Sequence, residues 1–304
     1  MSIKYRFMFF WPKFDPSNNF FVKTFQLILD ELEADTPLDL GEIEIELHSV
    51  FGRPRKLNRL KRIFRMGLVF MKKTILGKKI ILIWYSGELG RLPKGYDLTL
   101  SYFPTSQNNF YLPVWAIYTT SEGTVKKYDR DFLFNSNEML ISRPLRKFDN
   151  NRIACAFISN PSKERLRFAM SLERMGVLDI YGAAVGKPVE SKFDVSKNYI
   201  FQLCLENQDL DNYVTEKPFE AYMCGNIPIY KKNGTLSALN KNAIVNIVDY
   251  NPENLKRELE VLVEDIHRLN SIYSEPILTA HLETQELRSL FLEVARKILR
   301  VHKK

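Results

Sequence analysis

The chain reads as an α/β protein with two domains, each built on a parallel sheet. Three observations predict this. Runs at Tyr5–Phe10, Ile80–Tyr85, Ile153–Ile158 and Tyr199–Leu205, apolar throughout except for Arg6 and Gln202, have the length of strands buried on both faces. Segments with apolar residues at helical spacing follow them, in two successive blocks. The 304 residues are enough for two domains, each with its own core.

Taken in order, Tyr5–Phe10 is the first strand. The stretch from Trp11 to Asn19, rich in Pro, Asp, Ser and Asn, is a loop. Phe21, Phe25, Ile28, Leu29 and Leu32 recur on one helical face. From Glu42 to Val50 the chain alternates, with Ile43, Ile45 and Leu47 against Glu42, Glu44 and Glu46; this predicts a strand with one wet face. Leu57–Met71 reads as a basic amphipathic helix. Ile80–Tyr85 is a buried strand that runs into Ser86-Gly87-Glu88, a turn carrying a carboxylate. Leu98–Phe103 and Pro113–Tyr118 read as short strands, and Tyr118–Lys147 as polar and irregular. A linker is expected near Arg143–Asn151.

The second block opens with the Ile153–Ile158 strand, the Ser159-Asn160-Pro161 turn and a Lys163–Met175 helix. Asp179-Ile180-Tyr181-Gly182 is a short strand and turn, and Tyr199–Leu205 a strand. Thr215–Cys224 is a helix, with Thr215 as its N-cap, Pro218 tolerated in the first turn and Gly225 closing it. Ile227–Tyr230 and Ala243–Val248 are strands; Leu255–Leu269 and Thr284–Val301 are helices. The domains are therefore expected at 1–147 and 148–280. An amphipathic helix over 281–304 is expected to pack back across them.

Charge is unevenly spread. The net charge is +8, and Ser49–Gly87 holds no Asp or Glu, while Arg53–Lys79 holds eleven Lys or Arg. Arg288–Lys304 adds six more against Glu293 alone. Such surfaces attract phosphates, anionic lipid or nucleic acid. No nucleic-acid motif accompanies them, and a peripheral membrane contact through the basic segments is the expectation. Cys155, Cys204 and Cys224 are odd in number, widely spaced and set in apolar runs, which is no disulfide framework. The N-terminal run is too short for a secretory segment and no 18-residue apolar stretch exists, so the expected location is cytoplasmic.

Ligands of parallel sheets sit where strand carboxyl ends meet loops and helix N-termini. That rule selects Phe14–Asn19, Ser86–Glu88, Ser159–Arg165 and Glu206–Lys217. In the last, Lys217 and a helix N-terminus suit a pyrophosphate, and the carboxylate of Glu216 suits a vicinal diol. A structural role for the same residues, with Glu216 complementing the helix dipole and Lys217 solvated, stays open from the residues alone.

The ordered series Cys204-Leu205-Glu206-Asn207, Tyr213-Val214-Thr215-Glu216-Lys217-Pro218-Phe219-Glu220-Ala221-Tyr222 and Gly225-Asn226-Ile227-Pro228-Ile229-Tyr230 resembles the signature of the α-1,3/4-fucosyltransferases of glycosyltransferase family 10. Ala156–Arg165 and Asp179-Ile180-Tyr181-Gly182 are similar to further family elements, and Trp84-Tyr85-Ser86-Gly87-Glu88 to a weaker one. The resemblance is close over 153–275 and only in outline before that. It implies the GT-B arrangement, two Rossmann-like domains facing across a cleft. It also implies transfer of L-fucose from GDP-β-L-fucose, with inversion, to a sugar hydroxyl of a surface glycan, O3 of N-acetylglucosamine or glucose. By the same resemblance Glu88 matches the base, Arg165 and Lys217 the phosphate clamp, and Glu216 a donor-hydroxyl ligand. Asn207, Tyr213, Val214 and Thr215 match further donor contacts. Trp11 and Phe14, on the first loop, are candidates to stack on the acceptor sugar.

No metal or other cofactor is expected. Asp129-Arg130-Asp131 and Asp209-Leu210-Asp211 have the Asp-x-Asp form, but the family does not need a metal, and the four His show no ligand spacing. Two alternatives remain: a transferase for another GDP-linked sugar, or a non-catalytic protein binding glycolipid or nucleic acid through its basic stretches.

Overall fold

The computed structural model describes residues 2–11, 14–17, 19–35, 42–50, 55–88, 91–117, 119–120, 123–126, 133–134, 136–148, 152–160, 163–208, 210, 212–231, 238–247, 251–282 and 284–299. These divide into two compact units. One comprises Met1–Tyr118 with Glu283–Lys304, the other Thr119–Leu282.

The first unit alternates β1 (Ser2–Met8), α1 (Phe20–Asp35), β2 (Glu42–His48), α2 (Arg55–Thr74), β3 (Ile80–Tyr85), β4 (Leu98–Ser101) and β5 (Asn109–Tyr111). All five strands are parallel and lie in sequence order, β1-β2-β3-β4-β5. The β3 run Ile80–Tyr85 is buried throughout, as a central parallel strand requires. The alternation of β2 has a different outcome from the one expected. Ile43, Ile45 and Leu47 are fully buried, but so are Glu46 and His48 on the opposite face, because α2 lies over it. The expected strand at Pro113–Tyr118 is a buried 3-10 turn, Val114–Ile117. Proline 113 has no N–H for a ladder, and its carbonyl instead accepts the bond from Ala116 N.

The second unit begins with short antiparallel strands, β6 (Thr119–Thr120), β7 (Gly123–Lys126) and β8 (Leu133–Phe134), where irregular chain was expected, and α3 (Ser136–Met139). Next come β9 (Arg152–Phe157), α4 (Lys163–Arg174), β10 (Leu178–Tyr181), α5 (Lys192–Ser196), β11 (Tyr199–Leu203), α6 (Lys217–Met223), β12 (Ile227–Tyr230) and β13 (Val245–Asn246). The five last-named strands are parallel in the order β10-β9-β11-β12-β13. The chain thus starts at β9, steps outward to β10 and returns to the other side of β9. This reversal leaves a crevice above the carboxyl ends of β9 and β11, the place where ligands bind in such sheets. The first sheet, in simple sequence order, has no reversal.

The expected single helix at Leu255–Leu269 is two, α7 (Pro252–Glu264) and α8 (Ile266–Ser274). Asp265 leaves helical geometry between them, and its carboxylate caps α8 by accepting from Arg268 N at 3.0 Å. The last helix, α9 (Gln285–Leu299), packs on α1 and on β3–β5, with Phe291 stacked on Phe25 at 4.4 Å.

The units also divide earlier than the 147/148 boundary read from sequence. Residues 136–148 are fastened to the second unit by two arginines. Arg143 lies between the Tyr222 and Tyr273 rings, 3.8 Å from each centroid, and donates to the carbonyls of Tyr273, Tyr222 and Asn226. Arg146 donates to Gly225 O and Lys197 O. Burial pulls the Arg143 guanidinium down to about 10, with Tyr273 and Tyr222 opposing the fall.

Candidate functional site

A cavity of about 50 Å³ opens in the crevice of the second sheet. The β9 end contributes Ala156, Phe157 and Ile158, and the β11 end Gln202, Leu203, Cys204 and Leu205. Charged groups line the rest: Lys192 from α5, Glu216, and Lys217 and Glu220 from α6. The floor is rigid. Gln202 receives the Ser196 hydroxyl at 2.7 Å, and buried Asn226 donates to Ser196 O and Tyr199 O at 2.9 and 2.7 Å.

Glu206, just past β11, is the hub of the loop above. Its carboxylate accepts from Thr215 N and from the Thr215 hydroxyl at 2.8 Å, and from the Tyr230 hydroxyl at 3.0 Å. Lys217 Nζ donates to it at 2.7 Å. These bonds fold the Glu206–Lys217 loop back on itself, and Asn212, in left-handed geometry, makes the turn. Arg165, on the first turn of α4, joins from the other side of the crevice. It donates to Leu205 O at 3.3 Å, to the Asn207 side chain and to Asn160 O. Asn207 also lies 3.5 Å from Lys217 Nζ. Burial lowers the Arg165 pKa, with Glu206 and Tyr213 opposing, and leaves a charged guanidinium held at the crevice.

The structure therefore brings together Arg165, Asn207, Thr215, Glu216 and Lys217. It corrects two details. Thr215 is not the N-cap of α6; Glu216 holds that position without a side-chain cap bond, because the Thr215 hydroxyl is taken by Glu206. Tyr213 and Val214 are buried, at 5 % and 1 % exposure, so their side chains belong to the loop's packing. Three groups were missed. Glu206 stood in the quoted motif without a role, although a carboxylate directly after a buried strand is itself a signal. Lys192 and Glu220, paired at 3.3 Å, meet at the cavity from segments far apart in sequence.

In the first unit, Glu88 is exposed just past β3, on a turn held by Ser86, whose amide donates to Leu100 O at 3.0 Å and whose hydroxyl donates to Glu88 O. Trp11 and Phe14 are half-buried and pack on each other at 4.9 Å, beside Phe7 and Phe10. The two Asp-x-Asp triplets, at 129–131 and 209–211, have both carboxylates outside the described residues. No cluster able to hold a metal occurs among the described residues.

Residues 148–274, which span the crevice and its loop, match the model of the glycosyltransferase family 10 (fucosyltransferase) C-terminal domain. Over this span the second unit is similar to that domain. Over 129 residues the chain is 23 % identical to human 4-galactosyl-N-acetylglucosaminide 3-alpha-L-fucosyltransferase 9, covering 40 % of this chain and 35 % of that protein. It is 33 % identical over 103 residues to a fucosyltransferase-like protein of Arabidopsis thaliana, covering 32 % and 20 %. The match thus spans about a third or less of the length of these curated relatives. The crystal structure of an alpha1,3-fucosyltransferase with GDP-fucose superposes with TM-score 0.60 at 16 % identity, over 100 % of this chain and 92 % of that one. The same fold therefore extends through both units, the α/β fold with parallel sheets of the GT-B fucosyltransferases.

Proposed function

We propose that the protein is an inverting fucosyltransferase that moves L-fucose from GDP-β-L-fucose to O3 of an N-acetylglucosamine or glucose unit of a glycan. The observation that carries this is the Glu206-centred loop at the family 10 crevice, which gathers Arg165, Asn207 and Lys217 around one opening. The ammonium of Lys217 has three donors, and Glu206 engages one of them closely. The remainder, with Arg165, would bind the diphosphate as it departs and stabilise the charge it gains. Glu216 would accept from fucose hydroxyls. The 50 Å³ cavity is far smaller than sites for whole nucleotides, so most of the donor would lie over the open crevice. In this proposal Glu88 removes the acceptor proton. Trp11 and Phe14 face the acceptor, and no metal is needed because two side-chain cations serve the phosphates.

Calorimetric titration with GDP, GDP-fucose, GDP-mannose and UDP, each with EDTA, tests it. Binding of GDP and GDP-fucose in preference to UDP, weakened in Lys217→Ala, is expected. Absence of guanine-nucleotide binding by folded protein would refute the proposal, and preference for GDP-mannose would change the donor.

A further inference from the structure

Helix α2 is turned inside out. Its charged side faces the protein. Arg65 Nε donates to buried Glu46 at 2.8 Å, Arg62 lies over the Trp84 ring at 4.3 Å and donates to Ser49 O, and Lys73 Nζ pairs with Asp97 at 2.9 Å. Its apolar side faces out. Leu60, Ile63, Phe64 and Phe70, and Ile75 just past the helix end, are each 60–75 % exposed. At 100° per residue they fall on one side, opposite buried Val69. Among these positions the polar Thr74 hydroxyl is turned back onto Phe70 O at 2.8 Å. A soluble monomer rarely leaves so long an apolar stripe uncovered.

We propose that this face docks on the surface of an anionic lipid bilayer, with the aromatic and aliphatic side chains entering the acyl boundary. Charge complementarity selects the occupant. The stripe lies inside Ser49–Gly87, which has no acidic residue, and Lys61 and Lys72 project along one edge of it. An apolar stripe bordered by lysines is the pattern of a helix lying in a membrane interface, where each cation near an anionic surface adds attraction. A second copy fits less well, because it brings the same basic edge and the same net charge of +8 to the contact. The proposal is independent of the transferase reaction.

Flotation of the full chain with two kinds of vesicle tests it: phosphatidylcholine alone, and equal parts phosphatidylcholine and phosphatidylglycerol. The wild type floats with the phosphatidylglycerol vesicles, less so in high salt. Phe64→Ser combined with Phe70→Ser keeps the charge and removes apolar surface, and lowers partitioning at least about tenfold with an unchanged melting temperature. Ile75→Ser, outside the helix, gives a smaller loss in the same direction and covers the case in which the double variant does not fold. The assignment is overturned by no binding to either vesicle, by equal binding to both, or by undiminished binding in the variants, which would move the contact to another basic segment. It is also overturned if ultracentrifugation shows a dimer that the substitutions dissolve without any vesicle binding, which gives the face to a second copy.

Discussion

Under the proposed function, Lys217 would serve a loop and a ligand together. Its bond to Glu206 holds it at the crevice, yet Glu206 keeps Thr215 and Tyr230 when the lysine is removed. Lys217→Ala should therefore fold normally and bind GDP about ten- to a hundredfold more weakly, as measured by calorimetry, the range of a lost charge-assisted bond. Glu206→Ala should lower both nucleotide affinity and melting temperature, because the loop loses its anchor. Glu88→Gln should cut transfer about a hundredfold or more while GDP affinity stays unchanged, which separates a base from a binding group. Glu46 makes a prediction about pH. Burial works against its charge, but hydrogen bonds from Arg65 and His48 prevail and hold its pKa at about 2, against 4.5 for a free carboxyl. A lowered carboxylate pKa stabilises the fold above pH 4.5 and loses that contribution as pH falls toward 2, here about 3 kcal/mol. Unfolding of the wild type and of Glu46→Gln in denaturant, at neutral pH and near pH 3, should show a difference at neutral pH that shrinks on acidification.

At the scale of elements, strands and helices were largely legible because their signals are local. The buried run Ile80–Tyr85 and the segment Ile227–Tyr230 are strands with the boundaries read from sequence, since nothing but length and apolarity is needed to mark them. Periodicity misled at Glu42–His48. Alternation shows that two faces differ, but not that the polar one meets water, and here it meets Arg65 of α2 and Arg6 of β1. The turn after β10 depends on Gly182, with φ of 113°, where a Cβ would stand 2.3 Å from Ile158 O. Gly182→Ala should destabilise the second unit by several kcal/mol, about 2–4, through strain and backbone displacement at the very crevice. Thermal melting with and without GDP would measure it. The loop Glu206–Lys217 was legible as a motif, whereas the part played by Glu206 was not, because its partners Thr215, Lys217 and Tyr230 lie 9 to 24 residues away.

At the scale of the whole molecule, the chain closes its first unit with its last helix. Phe291 of α9 is fully buried against Phe25, and Arg288 pairs with Glu31 at 2.6 Å. Phe291→Ala should cost about 3–5 kcal/mol of stability, seen as a lowered transition in calorimetric melting assigned to the first unit. The sequence by itself determined the α/β class, the positions of most buried strands and the family motif at 204–230, because periodicity and motif order are properties of neighbouring residues. Only the tertiary structure decided which strand lies beside which, that the reversal at β9 and β11 makes the crevice, that Glu206 holds Lys217, and that α2 faces outward with its apolar side. Each of these depends on which surfaces meet after folding. Two faces with the same pattern, one buried and one wet, differ only in the distant partner that covers them.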